Sequence, residues 1–281
     1  MTVAGWWSAF RDIPWEGGWR TYPGVWVVVA LFGVGYLLLV RRLHGEGHPG
    51  PTRAEWVWFC GGIIVLWAGL DGPLAALGAS YLASIRMVQY LMVGLVAPAF
   101  LILGLPAGAF RILAGRRRWL GVMRGVTHPV VALIVFNGGM TVTHWPGVAN
   151  TFMASPLGAA VLHLVWLACG LVFWWPILAP VPARPSFHPL LKVAYLGANV
   201  VFVMPPAAMM FFSDTPIYTL HSGSPPFGGT NPVMDQQRAG AVMKVGSAWI
   251  LAVAMLVVCF RWYLTVRDES EDPGLEPRAE G

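Results

Sequence analysis

Charge is what this chain has least of. Of its 281 residues only 11% are Asp, Glu, Lys or Arg, less than half the usual quarter of a soluble domain. Too few polar groups remain to cover a water-facing surface, which excludes an ordinary soluble fold. Disorder is excluded from the other side, because 57% of the residues are apolar. Cysteine is scarce as well. Cys60, Cys169 and Cys259 are odd in number, lie in apolar stretches and form no C-x-x-C, so neither a disulfide framework nor a thiolate metal site is indicated. There is no G-x-G-x-x-G, P-loop, H-E-x-x-H or G-x-S-x-G, and no internal repeat. The N-terminal stretch has no apolar run suited to a cleavable signal.

Long apolar runs remain. They are continuous rather than alternating, which predicts helices and not a β-barrel. The expected fold is an all-α integral membrane protein with seven transmembrane helices. The spans are expected near Gly24–Val40, Trp56–Leu70, Leu82–Leu103, Pro129–His144, Leu157–Leu178, Pro189–Phe212 and Ala239–Leu264. Three parts follow: an interfacial segment over 1–23, a membrane domain over 24–264 and a polar tail over 265–281. Pro98 and Pro205-Pro206 fall inside spans, so the third and sixth should kink, with neighbours satisfying the freed carbonyls.

Lys and Arg set the direction. They crowd the loops after the first span (Arg41, Arg42, Arg53) and the third (Arg111, Arg116, Arg117, Arg118, Arg124) and thin out in the loops between. The N-terminus is therefore expected outside and the C-terminus in the cytoplasm. The excess of 18 Lys and Arg over 13 Asp and Glu reads as this topological signal rather than as a nucleic-acid surface.

With that direction, polar and soft residues gather near the outer leaflet. Arg86 and Tyr90 lie near the start of the third span, His144 ends the fourth, His163 is early in the fifth, and Met209 and Met210 are late in the sixth. Arg86 either snorkels to the headgroups or pairs with Asp71 or Asp235, because a buried charge needs a partner. His144, His163, Met87, Met209 and Met210 could ligate copper, since imidazole and thioether suit Cu(I). Equally, the methionines could fill core gaps and His144 could be an interfacial anchor. His128 and His188, each before a proline, read as helix-start residues, and His221 as a weaker outer-loop candidate.

Several blocks together resemble the CtaG-type cytochrome c oxidase assembly factors, from about Gly69 to Trp262. They are Tyr81-Leu82 through Arg86-Met87-Val88-Gln89-Tyr90 to Pro98; Leu103-Gly104-Leu105-Pro106; Thr127-His128-Pro129; His144-Trp145-Pro146; His163 with Gly170 and Trp174-Trp175-Pro176; and Asp235-Gln236-Gln237-Arg238-Ala239-Gly240. The resemblance implies a multi-pass protein of the bacterial plasma membrane. It implies no enzyme activity, haem-copper oxidase subunits as partners beside the lipid bilayer, and a role in maturing the oxidase, possible copper delivery included. An i, i+4 His-Met-x-x-His pair, usual in that family, is replaced here by Arg86 and Tyr90. What is kept is Met87, His144, His163 and Asp235, Gln236 and Gln237. The expectation is that no metal binds tightly, and that the two histidines hydrogen-bond their neighbours. A permanent, non-catalytic accessory subunit of an oxidase is the alternative.

Overall fold

The computed structural model describes residues 5–7, 17, 19–114, 125, 128–179, 187–219 and 229–271. The Arg116–Arg118 cluster, His221 and residues 272–281 lie outside these. Among the described residues the regular structure is helical: α1 (Pro23–Gly45), α2 (Arg53–Leu70), α3 (Gly72–Ser80), α4 (Ala83–Leu91), a π-helical turn (Met92–Val96), α5 (Ala97–Leu103), α6 (Ala107–Ala114), α7 (Pro129–His144), α8 (Pro146–Phe152), α9 (Pro156–Leu178), α10 (Pro189–Phe202), α11 (Met204–Phe212) and α12 (Pro232–Glu271).

Proline starts half of the twelve α-helices. Pro23, Pro129, Pro146, Pro156, Pro189 and Pro232 each occupy a first helical position, where the missing N–H has no intrahelical role to lose. His128 and His188 are the residues just before two of them, and Leu190 N donates to His188 Nδ1 (3.3 Å). Thr52 and Glu55 form a capping box on α2. Ser155 Oγ accepts from Gly158 N (3.1 Å) at the start of α9.

Among the described residues, six helical stretches are long and apolar enough to cross a membrane: 23–45, 53–70, 83–103, 156–178, 189–212 and 232–268. The fourth expected span, α7, has 16 residues, about 24 Å of helix against a hydrocarbon core of about 30 Å. The last helix runs on to Glu271, so residues 265–271, expected in the polar tail, continue it. Exposed apolar side chains line α1 (Leu31, Val34, Leu38) and α12 (Trp249, Val253, Leu256, Phe260), as a surface bathed in hydrocarbon requires.

The helical run 83–103 lies inside the bundle, packed by α2, α9 and α12. Its proline is absorbed by widening. Ala97 N reaches back five residues to Met92 O, a π-bulge of the kind that relieves a local mismatch. The carbonyls it turns outward meet α9: Trp174 Nε1 donates to Leu95 O (2.8 Å). Gly170 lies so close to Gly94 O that a Cβ there would stand 2.2 Å from it. In the run 189–212 the helix breaks at Val203, between α10 and α11. Lys244 of α12 donates to Val200 O at that break. α9 carries Pro176 in its interior, and in the preceding turn Tyr195 Oη donates to Phe173 O (2.9 Å). Each freed carbonyl region therefore has a donor from a neighbouring helix.

Candidate functional site

Most of the buried polar residues collect at one end of the bundle, Asn199, which accepts from Asn137 of α7, being an exception. The start of α4, the end of α7, the first turns of α9 and the start of α12 meet there. Residues 213–219, which follow α11, close over them.

On α4, Arg86, Met87, Gln89 and Tyr90 are all buried. Gln89 Nε2 donates to Gly69 O (2.7 Å) and so ties α4 to the end of α2. Tyr90, one turn beyond Arg86, turns its ring edge to His144 (centroids 5.1 Å apart) and to Trp166 (5.8 Å).

Trp166 organises the two histidines. His144 stacks on its indole (5.3 Å, 12° between planes), and His163 meets it edge to face (5.2 Å, 62°). Trp166 Nε1 donates to Thr143 Oγ1 (3.0 Å), which itself donates to Gly139 O (2.8 Å). These contacts fix α9 against α7.

The hydrogen bonds also fix the tautomers. His144 Nδ1 lies 2.8 Å from Met140 O. A carbonyl only accepts, so Nδ1 carries the proton and Nε2 carries the lone pair. His163 is the reverse. Trp7 Nε1 donates to its Nδ1 (3.1 Å), and an indole N–H only donates, so His163 Nδ1 holds the lone pair and Nε2 the proton. Both Nε2 atoms are buried and without a partner among the described residues.

A metal needs a lone pair from each ligand. His144 Nε2 offers one; His163 Nε2–H does not, and its Nδ1 is taken by Trp7. Among the described residues no three His, Cys, Asp or Glu gather to hold an ion. Met210 is fully buried and Met209 half-buried on α11. As arranged, the donor set of His144, His163, Met209 and Met210 does not fit copper.

The carboxylates are occupied elsewhere. Asp235 does not pair with Arg86, contrary to the sequence expectation. It accepts from Ala83 N (2.6 Å) and Ser84 Oγ (2.5 Å), capping the first turn of α4. The reason is local: a helix start offers unpaired N–H groups and a favourable dipole. Asp71 accepts from Tyr22 N (2.8 Å), Trp26 Nε1 (3.0 Å) and Trp67 Nε1 (3.1 Å). The snorkelling alternative also fails, since Arg86 is 4% exposed.

Gln236 fastens the loop that follows α11. Its Oε1 accepts from Ile217 N (2.7 Å), and its Nε2 donates to Thr215 O (3.2 Å). Asn150 of α8 holds the same loop, donating to Ile217 O (3.2 Å) and accepting from Thr219 N (3.1 Å). Tyr218 Oη then reaches His144 O (2.7 Å). Burial pushes the Tyr218 phenol up to about 12, the nearby Arg86 charge partly opposing, so it stays a donor. Gln237 is half-buried beside this staple. The Asp-Gln-Gln run thus acts as a clasp between α4, α12 and the loop.

Trp7, Thr143, Trp166 and Tyr218 complete the site and are not evident in the sequence. Trp166 had a signal, standing three residues after His163 on the same helical face. Trp7 and Tyr218 had none, because their contacts cross long stretches of chain.

Residues 34–265 match the family described as cytochrome c oxidase caa3 assembly factor (Caa3_CtaG). Uncharacterized protein ML1998 of Mycobacterium leprae (strain TN) is 23% identical over 199 residues, covering 66% of this chain and 30% of that protein. Uncharacterized protein Mb0105 of Mycobacterium bovis and uncharacterized protein MT0111 of Mycobacterium tuberculosis are each 23% identical over 183 residues, 59% of this chain and 27% of theirs. The chain therefore spans less than a third of the length of these curated relatives. No solved structure matches. With a family match running from within α1 to within α12, the chain belongs to the cytochrome c oxidase caa3 assembly factor family.

Proposed function

We propose that this protein supports assembly of a haem-copper respiratory oxidase in the bacterial plasma membrane, acting from the outer face and without a catalytic step of its own. The family match over residues 34–265 carries this reading. In this reading the chain acts at the polar end of the bundle. The clasp of Asp235 and Gln236 holds a defined surface at the end of the bundle whose loops are poor in Lys and Arg, the end the positive-inside rule puts outside. In this reading α7 is the seventh crossing, its 16 residues extended at the outer end by α8. The N-terminus is outside and the C-terminal end of α12 is in the cytoplasm. Arg86, Met87, Tyr90, Asp235, Gln236 and Gln237 shape the contact region for oxidase subunits.

Copper delivery through His144 and His163 is not part of this proposal, because the tautomer set by Trp7 removes one of the two lone pairs. The second reading, a stable accessory subunit, is favoured by Arg86 and Tyr90 standing where the family resemblance expects a histidine pair. Purification in mild detergent separates the two. An assembly factor leaves the mature oxidase, so the tagged chain should recover oxidase subunits in less than equal amount. Constant equal stoichiometry with active oxidase would establish the accessory subunit instead.

A further inference from the structure

Lys244 is a cation at mid-depth of the bundle. Its nitrogen donates to Val200 O at the break between α10 and α11. Val200 stands 11 residues after Pro189 and 12 before Phe212, the ends of one membrane-length run. At 1.5 Å per residue that is about 17 Å from either end, the middle of a hydrocarbon core of about 30 Å. A lysine near a membrane surface extends its stem and puts its charge among the headgroups. Lys244 instead turns to a carbonyl of the neighbouring helix, far from either surface.

This chain has no carboxylate to set against it. From Gly72 to Ser213 there is not one Asp or Glu, nor is there one from Gln236 to Arg267. Asp71 and Asp235, which flank those stretches, are held at helix ends by other donors. The ion pairs among the described residues are Arg42–Glu46 and Arg267–Asp268, and neither includes Lys244. The Val200 carbonyl is neutral and takes one of the three N–H donors of the ammonium. A charge within the membrane calls for a partner, and lipid phosphates at the surface are too distant to supply it. The site is open on the lipid side. Lys244 is half-buried, and Val201, Phe202, Val245 and Trp249 beside it are exposed. Gly197, one turn before Val201 on α10, has open space where a Cβ would stand, which lets another helix approach closely.

We infer that Lys244 is the docking point for a transmembrane helix of another protein, one carrying an Asp or Glu at mid-depth that closes an ion pair with Lys244 beside the α10–α11 break. The inference rests on the assembly reading, which makes a membrane subunit of the oxidase the partner. A second copy of this chain does not fit, because it has no carboxylate at that depth.

The test uses the full chain in the membranes of its host. Val201 is replaced by the photoreactive residue benzoylphenylalanine, the cells are irradiated, and the cross-linked peptide is sequenced by mass spectrometry. It should come from a membrane-spanning segment of an oxidase subunit with an Asp or Glu inside its apolar run. The yield should fall about tenfold or more in Lys244→Met, which removes one member of the charge pair, and persist in Lys244→Arg. The unfolding temperature of Lys244→Met should not drop, since a neutral side chain then meets hydrocarbon; if that variant does not fold, Lys244→Gln gives the same comparison. Adducts with lipid alone, with a second copy of this chain, or with a helix lacking a carboxylate would each overturn the inference. So would a yield unchanged in the neutral variant. A carboxylate-bearing helix from a protein outside the oxidase would uphold the docking point and contradict the assembly reading instead.

Discussion

Trp7 donates its indole N–H to His163 Nδ1 at 3.1 Å, joining a residue near the start of the chain to one in the second turn of α9. The bond has two effects. It covers the end of the bundle with a buried aromatic ring, and it selects the tautomer of His163 that donates from Nε2.

The first prediction concerns that bond. Trp7→Phe keeps much of the ring packing and removes the donor. Thermal unfolding in detergent should show a loss of about 0.5–1.5 kcal/mol. In nitrogen NMR spectra of wild type, His163 should have an unprotonated Nδ1 and a protonated Nε2, and the variant should lose that fixed pattern. An Nε2 free of its proton in wild type would remove the argument against His163 as a metal ligand.

Asp235 is expected to matter to α4 rather than to Arg86. Asp235→Ala leaves Ala83 N and Ser84 Oγ without their acceptor and should cost about 1–3 kcal/mol. Ser84→Ala should cost less, because one N–H···O bond survives. A double-mutant cycle between Asp235→Ala and Ser84→Ala should give a coupling of about 0.5 kcal/mol or more. The same cycle between Asp235→Ala and Arg86→Gln should give less. The reverse order would restore the ion pair expected from sequence.

Gly170 is where α9 presses on the π-helical turn. A Cβ there would lie 2.2 Å from Gly94 O and 2.6 Å from Pro98 Cγ. Gly170→Ala should therefore separate the helices and destabilise by about 1–3 kcal/mol, with Trp174 losing its bond to Leu95 O. Gly138→Ala, at a position with open space, is the control and should be close to neutral. Equal stability of the two variants would contradict the close approach.

The helices and their polar end were legible because the relevant signals are local. Apolar runs mark the spans, and prolines mark helix starts. Pro98 and Pro205-Pro206 marked the two interruptions, although not that one would be taken up by a π-turn and the other by a break capped by Lys244. The residues Arg86, His144, His163 and Asp235 were legible as a group because positive-inside counting placed them at one end. Their partners were not. Asp235 lies 149 positions from Arg86 in sequence and at the same depth, yet the unpaired amides at the start of α4 claim it first. Nothing in the order of residues tells which of two nearby donors a carboxylate will take. The tautomer of His163 was hidden for the same reason, since it depends on Trp7, 156 positions away.

Topology is tested at the basic loop. In a background with Cys60, Cys169 and Cys259 replaced, Arg117→Cys should resist an impermeant thiol reagent in intact cells and react after lysis. Thr219→Cys, in the clasped loop, should react in intact cells. Equal labelling at both sites in intact cells would reverse or break the proposed orientation.

The assembly role itself is tested by removing the chain from its host. Oxidase subunit synthesis should continue, while assembled cytochrome c oxidase, measured in isolated membranes by haem spectrum and oxygen uptake, should fall several-fold and return on complementation with the wild-type chain. Undiminished active oxidase in membranes lacking the chain would contradict the account.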